Sequence, residues 1–532
     1  MADQYGAFRS YARKLLSAES RRREFSPQGP TPLALVYPNS YATGMSSLGY
    51  QTVYRLLNEQ PLLKGERAFQ LEGPFAAFFH TLESQQPLNQ FRIIAFSLAY
   101  EMDYPVVLQM LKRAGIPLLA RERTHHDPLI LMGGVAAFYN PTVMAPVADL
   151  FLIGEGEELI PDFARAYAEH LDGGEGREEL LARLAGIEGA WVPAVHGLQP
   201  ESGRVRRRYI DLRKYPPASS VCVTPNTHLE MFMVEVGRGC GRGCRFCAAG
   251  HLYHPFRSWP LEEIIAEVER HAHPGDRIGL VGAALSDYSR LDQLCEQLLG
   301  RGHRISLSSL RADRISPVLL KAMTASDIRT VTLAPEAGTE RLRRVIRKHL
   351  SEEQILAAVD LIGQFHFRQI KLYFMIGLPT EQPEDLQGLV DLTRKAAALF
   401  CSRGSGRELR VSVNTFVPKP WTPFQWAGMA TEREIKSKRK MVIEALNRID
   451  GVSAGRKSGR EEVLQALFSI GTVEVGEALV RAVQENREWQ EIYGGFTGWI
   501  HRAKGPEELL PWDFIDNGLE KARLLKGWAE AQ

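Results

Sequence analysis

The chain has 532 residues, 44% apolar and 24% charged, with a formal net charge of +2. This excludes a single ordinary domain, a disordered polymer and a whole-chain electrostatic footprint for nucleic acid. Only 6 Cys occur in that length, which excludes a disulfide scaffold and makes the placement of those few cysteines informative. The N-terminal segment is charged and lacks an apolar signal core. The most apolar stretch, 129–154, is interrupted by Asn140, Pro141, Pro146 and Asp149, whereas a membrane span needs about 20 apolar residues. The expectation is a soluble cytoplasmic protein with reduced thiols and no membrane partner.

An N-terminal extension covers 1–29. Short apolar runs follow at 33–37, 93–98, 129–132 and 151–153, with helical spacing at 46–59 and 105–114. Short strands alternating with helices predict a parallel sheet covered on both faces, hence a doubly wound Rossmann-like domain over 30–170. The polar stretch 171–215 reads as a connector with some strand around 189–199. From 216 to 430 a strand–helix unit recurs six times, with strands at 231–237, 277–282, 304–309, 330–334, 370–376 and 410–416. The intervening helical patterns lie at 261–271, 289–299, 317–323, 339–346, 352–365 and 383–400. The fold class is therefore α/β, with a partial (β/α)6 TIM-like barrel after the first domain. Chemistry on such a barrel belongs at the C-terminal strand ends. Residues 431–532 turn helical and charged and form a small, mostly helical region.

Half of all the cysteines fall within eight residues: Cys240, Cys244 and Cys247, in VGRGCGRGCRFCAAG, just after the first barrel strand. Three thiolates on a tight loop can hold three irons of a 4Fe–4S cubane, leaving the fourth iron open to an exogenous molecule. The loop glycines let the backbone wrap closely, and Arg238, Arg242 and Arg245 would offset the cluster's negative charge. A Cys3His zinc site completed by His251 is the rival. Cys222, Cys295 and Cys401 are scattered and read as buried free thiols.

The Cys240-x3-Cys244-x2-Cys247 motif, with Phe246 before the last Cys, resembles the radical S-adenosylmethionine (SAM) superfamily. TLAPEAGTERLRRVIRK at 332–348 and FMIGLPTE at 374–381 look like that superfamily's fourth- and fifth-strand segments. The resemblance implies that Cys240, Cys244 and Cys247 ligate a 4Fe–4S cluster whose open iron takes SAM, and that reduction releases a 5'-deoxyadenosyl radical. It further implies that Phe246 packs near the adenine, that Glu336 and the backbone at Ile376 and Gly377 contact SAM, and that Ser309 and Arg311 reach its ribose or carboxylate. The alternative for Arg311 is an ion pair with Asp313. The superfamily's Gly-Gly-Glu-like motif is replaced here by VGAALSD at 281–287, leaving the backbone near Gly282, or Asp287, for the SAM amino group. An external electron donor, flavodoxin- or ferredoxin-like, is implied as partner.

The first domain resembles the cobalamin-binding domain fused ahead of many radical SAM enzymes, through FSLAYEMDY at 96–104, LMGGVAAFYNP at 131–141 and DLFLIGEGEE at 149–158. Ser97, Gly133 and Gly134 end strands where backbone passes close to a flat ligand. The family's Asp-x-His-x-x-Gly segment reads Asn39-Ser40-Tyr41-Ala42-Thr43-Gly44 here, so Gly44 is kept and the cobalt-ligating His is Tyr41. Two alternatives stand: cobalamin bound with no protein nitrogen on cobalt, or a degenerate scaffold that caps the barrel. GEGEE also reads simply as a helix start with acids favoured by the dipole. The segment 413–429, rich in Pro and aromatics, is expected to line the substrate site. Basic runs at 341–348 and 433–440 read as solvated faces or, more sharply, as an RNA-facing patch. The function implied is a radical SAM enzyme acting by hydrogen abstraction or cobalamin-dependent methyl transfer. The alternatives are a methylthiotransferase-like RNA-modifying enzyme and a non-catalytic iron–sulfur or zinc protein.

Overall fold

The computed structural model describes residues 2–25, 28–76, 78–174, 176–199, 204–455 and 459–532. The N-terminal part runs α1 (Ala2–Ser17), β1 (Thr31–Tyr37), α2 (Leu48–Asn58), β2 (Leu63–Phe69), β3 (Ile93–Ser97), α3 (Tyr104–Arg113), β4 (Leu129–Gly133), β5 (Leu150–Leu152), α4 (Gly156–Gly173), α5 (Arg177–Ala185) and β6 (Ala190–Trp191). The sheet order is β2-β1-β3-β4-β5-β6, parallel except for β6. The order reverses between β1 and β3, and ligands of such sheets bind at that reversal, outside the carboxyl ends of the strands. One face packs Phe8 of α1 with Leu57 of α2, Phe163 of α4 and Leu184 of α5. The other packs Ile94, Ile130 and Phe151 with Leu108 of α3 and with residues far along the chain, Leu467, Leu479 and Trp512.

β2 is the strand the apolar pattern hides, because its sequence is LKGERAF. Its charges are buried in pairs rather than solvated. Arg67 is 1% exposed and bonds both Glu19 and Glu83 at 2.7 Å, while Glu66 accepts from Thr81 at 2.7 Å. The stretch expected as a connector holds the end of α4, all of α5 and the edge strand β6.

The second part is β7 (Phe232–Glu235), α6 (Leu261–His271), β8 (Arg277–Val281), α7 (Leu291–Gly300), β9 (Arg304–Ser306), α8 (Pro317–Ala325), β10 (Thr330–Glu336), α9 (Glu340–Val345), α10 (Glu352–Gly363), β11 (Gln369–Ile376), α11 (Pro383–Phe400) and β12 (Glu408–Thr415). The parallel sheets β7-β8-β9 and β10-β11-β12 are joined by a bridge between Leu310 and Leu333, completing the partial barrel. A further strand, β13 (Val452–Ala454), pairs with β12. Burial alternates along β11: Ile370, Leu372, Phe374 and Ile376 sit fully buried in the barrel's core cluster, and the residues between them are half-buried. The helices start on local signals. Ser351 and Gln354 cap α10 reciprocally, a capping box.

Helices α12 (Glu432–Leu446), α13 (Gly459–Ser469), α14 (Val473–Gln484) and α15 (Lys521–Ala529) complete the chain. α13 and α14 are not a free tail, since they roof the second face of the N-terminal sheet. Gly476 makes this possible: a Cβ there would lie 1.9 Å from the Val143 carbonyl oxygen. Among the described residues no helix is long and apolar enough to cross a membrane.

Candidate functional site

The carboxyl ends of the sheet and of the first barrel strands face one another across a cavity of about 610 Å³. Leu35, Ser97, Gly133, Gly134 and Gly154 line it from the sheet side. Gly237, Gly239, Gly282 and Ser308 line it from the barrel side, and the remaining wall is mostly aliphatic. Four of the residues expected from the sequence, Ser97, Gly133, Gly134 and Gly282, thus meet in one place. Gly134 holds φ at +97° while β4 turns into a short helix, and a Cβ there would stand 2.6 Å from the Leu98 carbonyl oxygen. No other residue type can make that turn without moving the β3 end.

The other expected residues of the first domain lie elsewhere. Tyr41 is 3% exposed and donates its hydroxyl to Glu19 at 2.7 Å. Asn39 donates to Asp103 at 3.0 Å. Gly44 makes room for the Phe69 ring, which a Cβ would meet at 2.5 Å. None of the three lines the cavity, so Asn39, Tyr41 and Gly44 are framework of this domain. Among the described residues that line the cavity there is no histidine.

Its polar rim is an ion cluster that the sequence did not announce. Arg238, two residues before Cys240, bonds Glu157 at 2.5 Å, Glu235 at 2.9 Å and Glu155 at 3.5 Å. Arg257 bonds Glu155 at 2.7 Å. Burial pushes the Glu235 carboxyl above its ordinary range against the pull of Arg238. Burial acts on Glu155 too, but the two guanidiniums hold it below that range. The GEGEE acids are therefore more than dipole-favoured residues of a helix start. They clamp the N-terminal sheet to the cysteine loop.

On that loop Cys244 is buried, and Cys240 and Cys247 are half-buried. Burial pushes the Cys244 thiol up to about 11; Lys348 pulls it down, while the neighbouring Cys247 and Cys240 charges push it further up. The three sulfurs are thus electrostatic neighbours. Among the described residues no group of three or more His, Cys, Asp or Glu side chains stands close enough to hold one metal ion. Three cysteine thiols on one loop are the donor type that holds an iron–sulfur cluster, so the donor set fits one. His251, the zinc rival's fourth ligand, places Nε2 3.1 Å from the Cys244 carbonyl oxygen, and burial pushes its pKa down to about 4.

The loop arginines are each held by carboxylates. Arg238 is taken by its three carboxylates, Arg242 by Asp287, and Arg245 by Glu530 at 2.7 Å. Asp287, offered for the SAM amino group, is held below its ordinary range: burial pushes its carboxyl up, and Arg242 outweighs that. Arg311 makes the ion pair given as its alternative, at 2.9 Å to Asp313, and Ser309 is exposed beside the cavity-lining Ser308. Glu336 holds φ at +70° and bonds Lys348 at 3.2 Å; burial pushes its carboxyl up against that lysine. Phe246 packs with Leu342, Ile346, Leu378 and Phe416. At the end of β11 the Ile376 carbonyl accepts from the Phe416 amide at 2.9 Å, and Gly377 N–H donates to Glu381 at 2.9 Å.

A family model described as radical SAM proteins, N-terminal, matches residues 49–193, and the Radical SAM superfamily model matches residues 234–393. The chain belongs to the radical SAM superfamily. This radical SAM protein is 27% identical, over 87% of its length and 96% of the relative's, to an uncharacterized protein of Methanocaldococcus jannaschii. It is 28% identical to the ribosomal protein uS12 methylthiotransferase RimO of Pseudothermotoga lettingae, over 31% of this chain and 41% of that one. Among solved structures it is similar to the cobalamin-dependent S-adenosylmethionine radical enzyme OxsB with aqua-cobalamin and S-adenosylmethionine bound. That match has 13% identity and a TM-score of 0.49, covering 94% of this chain and 79% of that chain. As a radical SAM enzyme the protein works with a 4Fe–4S cluster and SAM.

Proposed function

We propose that Cys240, Cys244 and Cys247 hold the 4Fe–4S cluster of a SAM-cleaving enzyme, and that the cavity between sheet and barrel holds a cobalamin. The observation that carries this is the cavity itself. It is large, mostly apolar, placed at the strand-order reversal, and floored on the barrel side by the backbone at 237–239, which leads into Cys240. Bound there, the cluster with SAM supplies a 5'-deoxyadenosyl radical, and a cobalamin supplies a methyl carrier. With no imidazole along the described lining, Gly133, Gly134 and the aliphatic walls would hold such a cofactor by close packing rather than through a histidine. The chain's own part is positional. Arg238, gripped by Glu155 and Glu157 across the two halves, fixes the loop relative to the cavity. The aliphatic lining excludes water, and Lys419, bonded to Glu101, ties the segment after β12 to the N-terminal half. The reaction on substrate is hydrogen abstraction or methyl transfer.

Anaerobic reconstitution with iron and sulfide, then reductant and SAM, tests this reading. Formation of 5'-deoxyadenosine that is lost in Cys244→Ala is expected, and stoichiometric zinc uptake without SAM cleavage refutes it. For the second cofactor, protein grown with cobalamin should purify with a corrinoid visible spectrum; a colourless protein refutes that part alone. A methylthiotransferase reading is favoured by the uS12-modifying relative. It lacks a second cluster motif: Cys222 lies in one core, Cys295 is buried in another, and Cys401 packs half-buried against the edge of that second core.

A further inference from the structure

Resting on the reading that loop 240–247 carries the cluster, we propose that the outer side of this loop is the docking surface for an acidic one-electron carrier protein. Three exposed cations, two beside the loop and the third on the helix face that carries one of them, have no carboxylate within ion-pair distance among the described residues. Arg347 lies against the loop, its Nη1 3.5 Å from where a Cβ of Gly243 would be. Arg523 projects from α15 and places Nη1 3.2 Å from His254 Nε2. Lys526, three residues on, falls on the same face of α15. His254 lies three residues past His251, whose ring faces the Cys244 carbonyl, so Arg523 stands beside the loop. Arg344 extends it; its one carboxylate, Glu340, is 3.8 Å away and exposed, and such a pair holds little.

None of these four cations lines the interdomain cavity, so this face is not the mouth through which a substrate reaches it. An electron needs no channel, only a short path through packed atoms. The patch lies over such a path, because Arg245 of the loop bonds the Val345 carbonyl at 2.7 Å just beneath Arg347. On docking, the carrier would be oxidised by one electron and a cluster held by this loop reduced by one. An RNA would need the positive surface to continue along 341–348, and it does not. Arg341 is tied to Asp385, Arg343 to the Leu350, Ala337 and Gly338 carbonyls, and Lys348 to Glu336. Too few phosphate contacts remain. A small positive patch facing an acidic partner raises the association rate and fixes its orientation.

The test uses cluster-reconstituted full-length protein and a flavodoxin as probe, with binding measured at low and at physiological salt. The triple variant R347E/R523E/K526E is expected to bind flavodoxin at least ~10-fold more weakly at low salt, since like charges across an interface cost several kcal/mol. It should also lose the salt dependence and keep dithionite-driven 5'-deoxyadenosine formation. Unchanged flavodoxin affinity overturns the proposal, as does a transfer RNA that binds the wild type, displaces flavodoxin and fails to bind the variant. If charge reversal disturbs the loop, seen as a lost dithionite reaction, R347Q/R523Q/K526Q decides: weaker flavodoxin binding supports the surface, and equal binding overturns it. A wild type inactive with dithionite refutes the proposed function instead, so the two failures are distinguishable.

Discussion

Replacing Arg238 with Met removes the one cation shared by Glu155, Glu157 and Glu235, whose side chains are 6, 7 and 15% exposed. Arg257 remains for Glu155, but Glu157 and Glu235 lose their guanidinium. Breaking a buried pair by removing one partner costs about 3–5 kcal/mol, because the other charge stays desolvated. At about 1.4 kcal/mol per decade that is a loss of roughly 10² to 4 × 10³ in protection of the amides of 237–258, read by hydrogen exchange of the apo protein. The pH dependence has a definite sign. Glu235 already has a folded pKa raised above its ordinary value, and without Arg238 it rises further. A carboxyl with a raised folded pKa binds more protons folded than unfolded, so stability is lost as pH rises from about 4.3 through the folded value. The variant's deficit should therefore be large in mildly alkaline buffer and shrink in acid. A deficit below about 1 kcal/mol, or one independent of pH, would refute the reasoning, because it would mean these carboxylates are solvated or otherwise paired.

The remaining expectations concern neighbouring elements. Gly134→Ala forces a Cβ to within 2.6 Å of the Leu98 carbonyl at φ +97°; it should cost roughly 2 kcal/mol or more in urea unfolding and lower corrinoid uptake, and an unchanged midpoint would count against a glycine-only turn at this position. Lys419→Met leaves Glu101, 8% exposed, with Gln465 at 3.2 Å as a weak partner. It should destabilise by about 3 kcal/mol and increase protease sensitivity between residues 416 and 430; equal digestion rates would argue that the segment is held otherwise. Burial, against the Asn39 hydrogen bond, pushes Asp103 up to about 6, so its charge costs stability as pH rises from about 3.9 through 6. Asp103→Asn should stabilise above pH 6 by up to about 2–3 kcal/mol and leave stability unchanged below about pH 4. A gain that persists in acid would point to a different cause.

The sequence by itself determined what depends on near neighbours along the chain. Hydrophobic period placed α6 and α11 at their observed ends and set six barrel strands in order. Cysteine spacing put three thiols on one loop, and glycines marked strand ends that do line the cavity. Only the tertiary structure decided which charges meet. Arg67 hides in a strand whose letters look solvent-exposed, because its carboxylates come from Glu19 and Glu83. Glu155 and Glu157 find Arg238 from the other half of the molecule. Tyr41, at the position of the family's cobalt-ligating His, turns to Glu19, and Arg311 pairs with Asp313. The physical reason is one of range. Backbone periodicity and turn chemistry are set within a few residues, whereas a buried charge must find its partner through space. A string of residues records that a charge exists but not which desolvated neighbour will hold it.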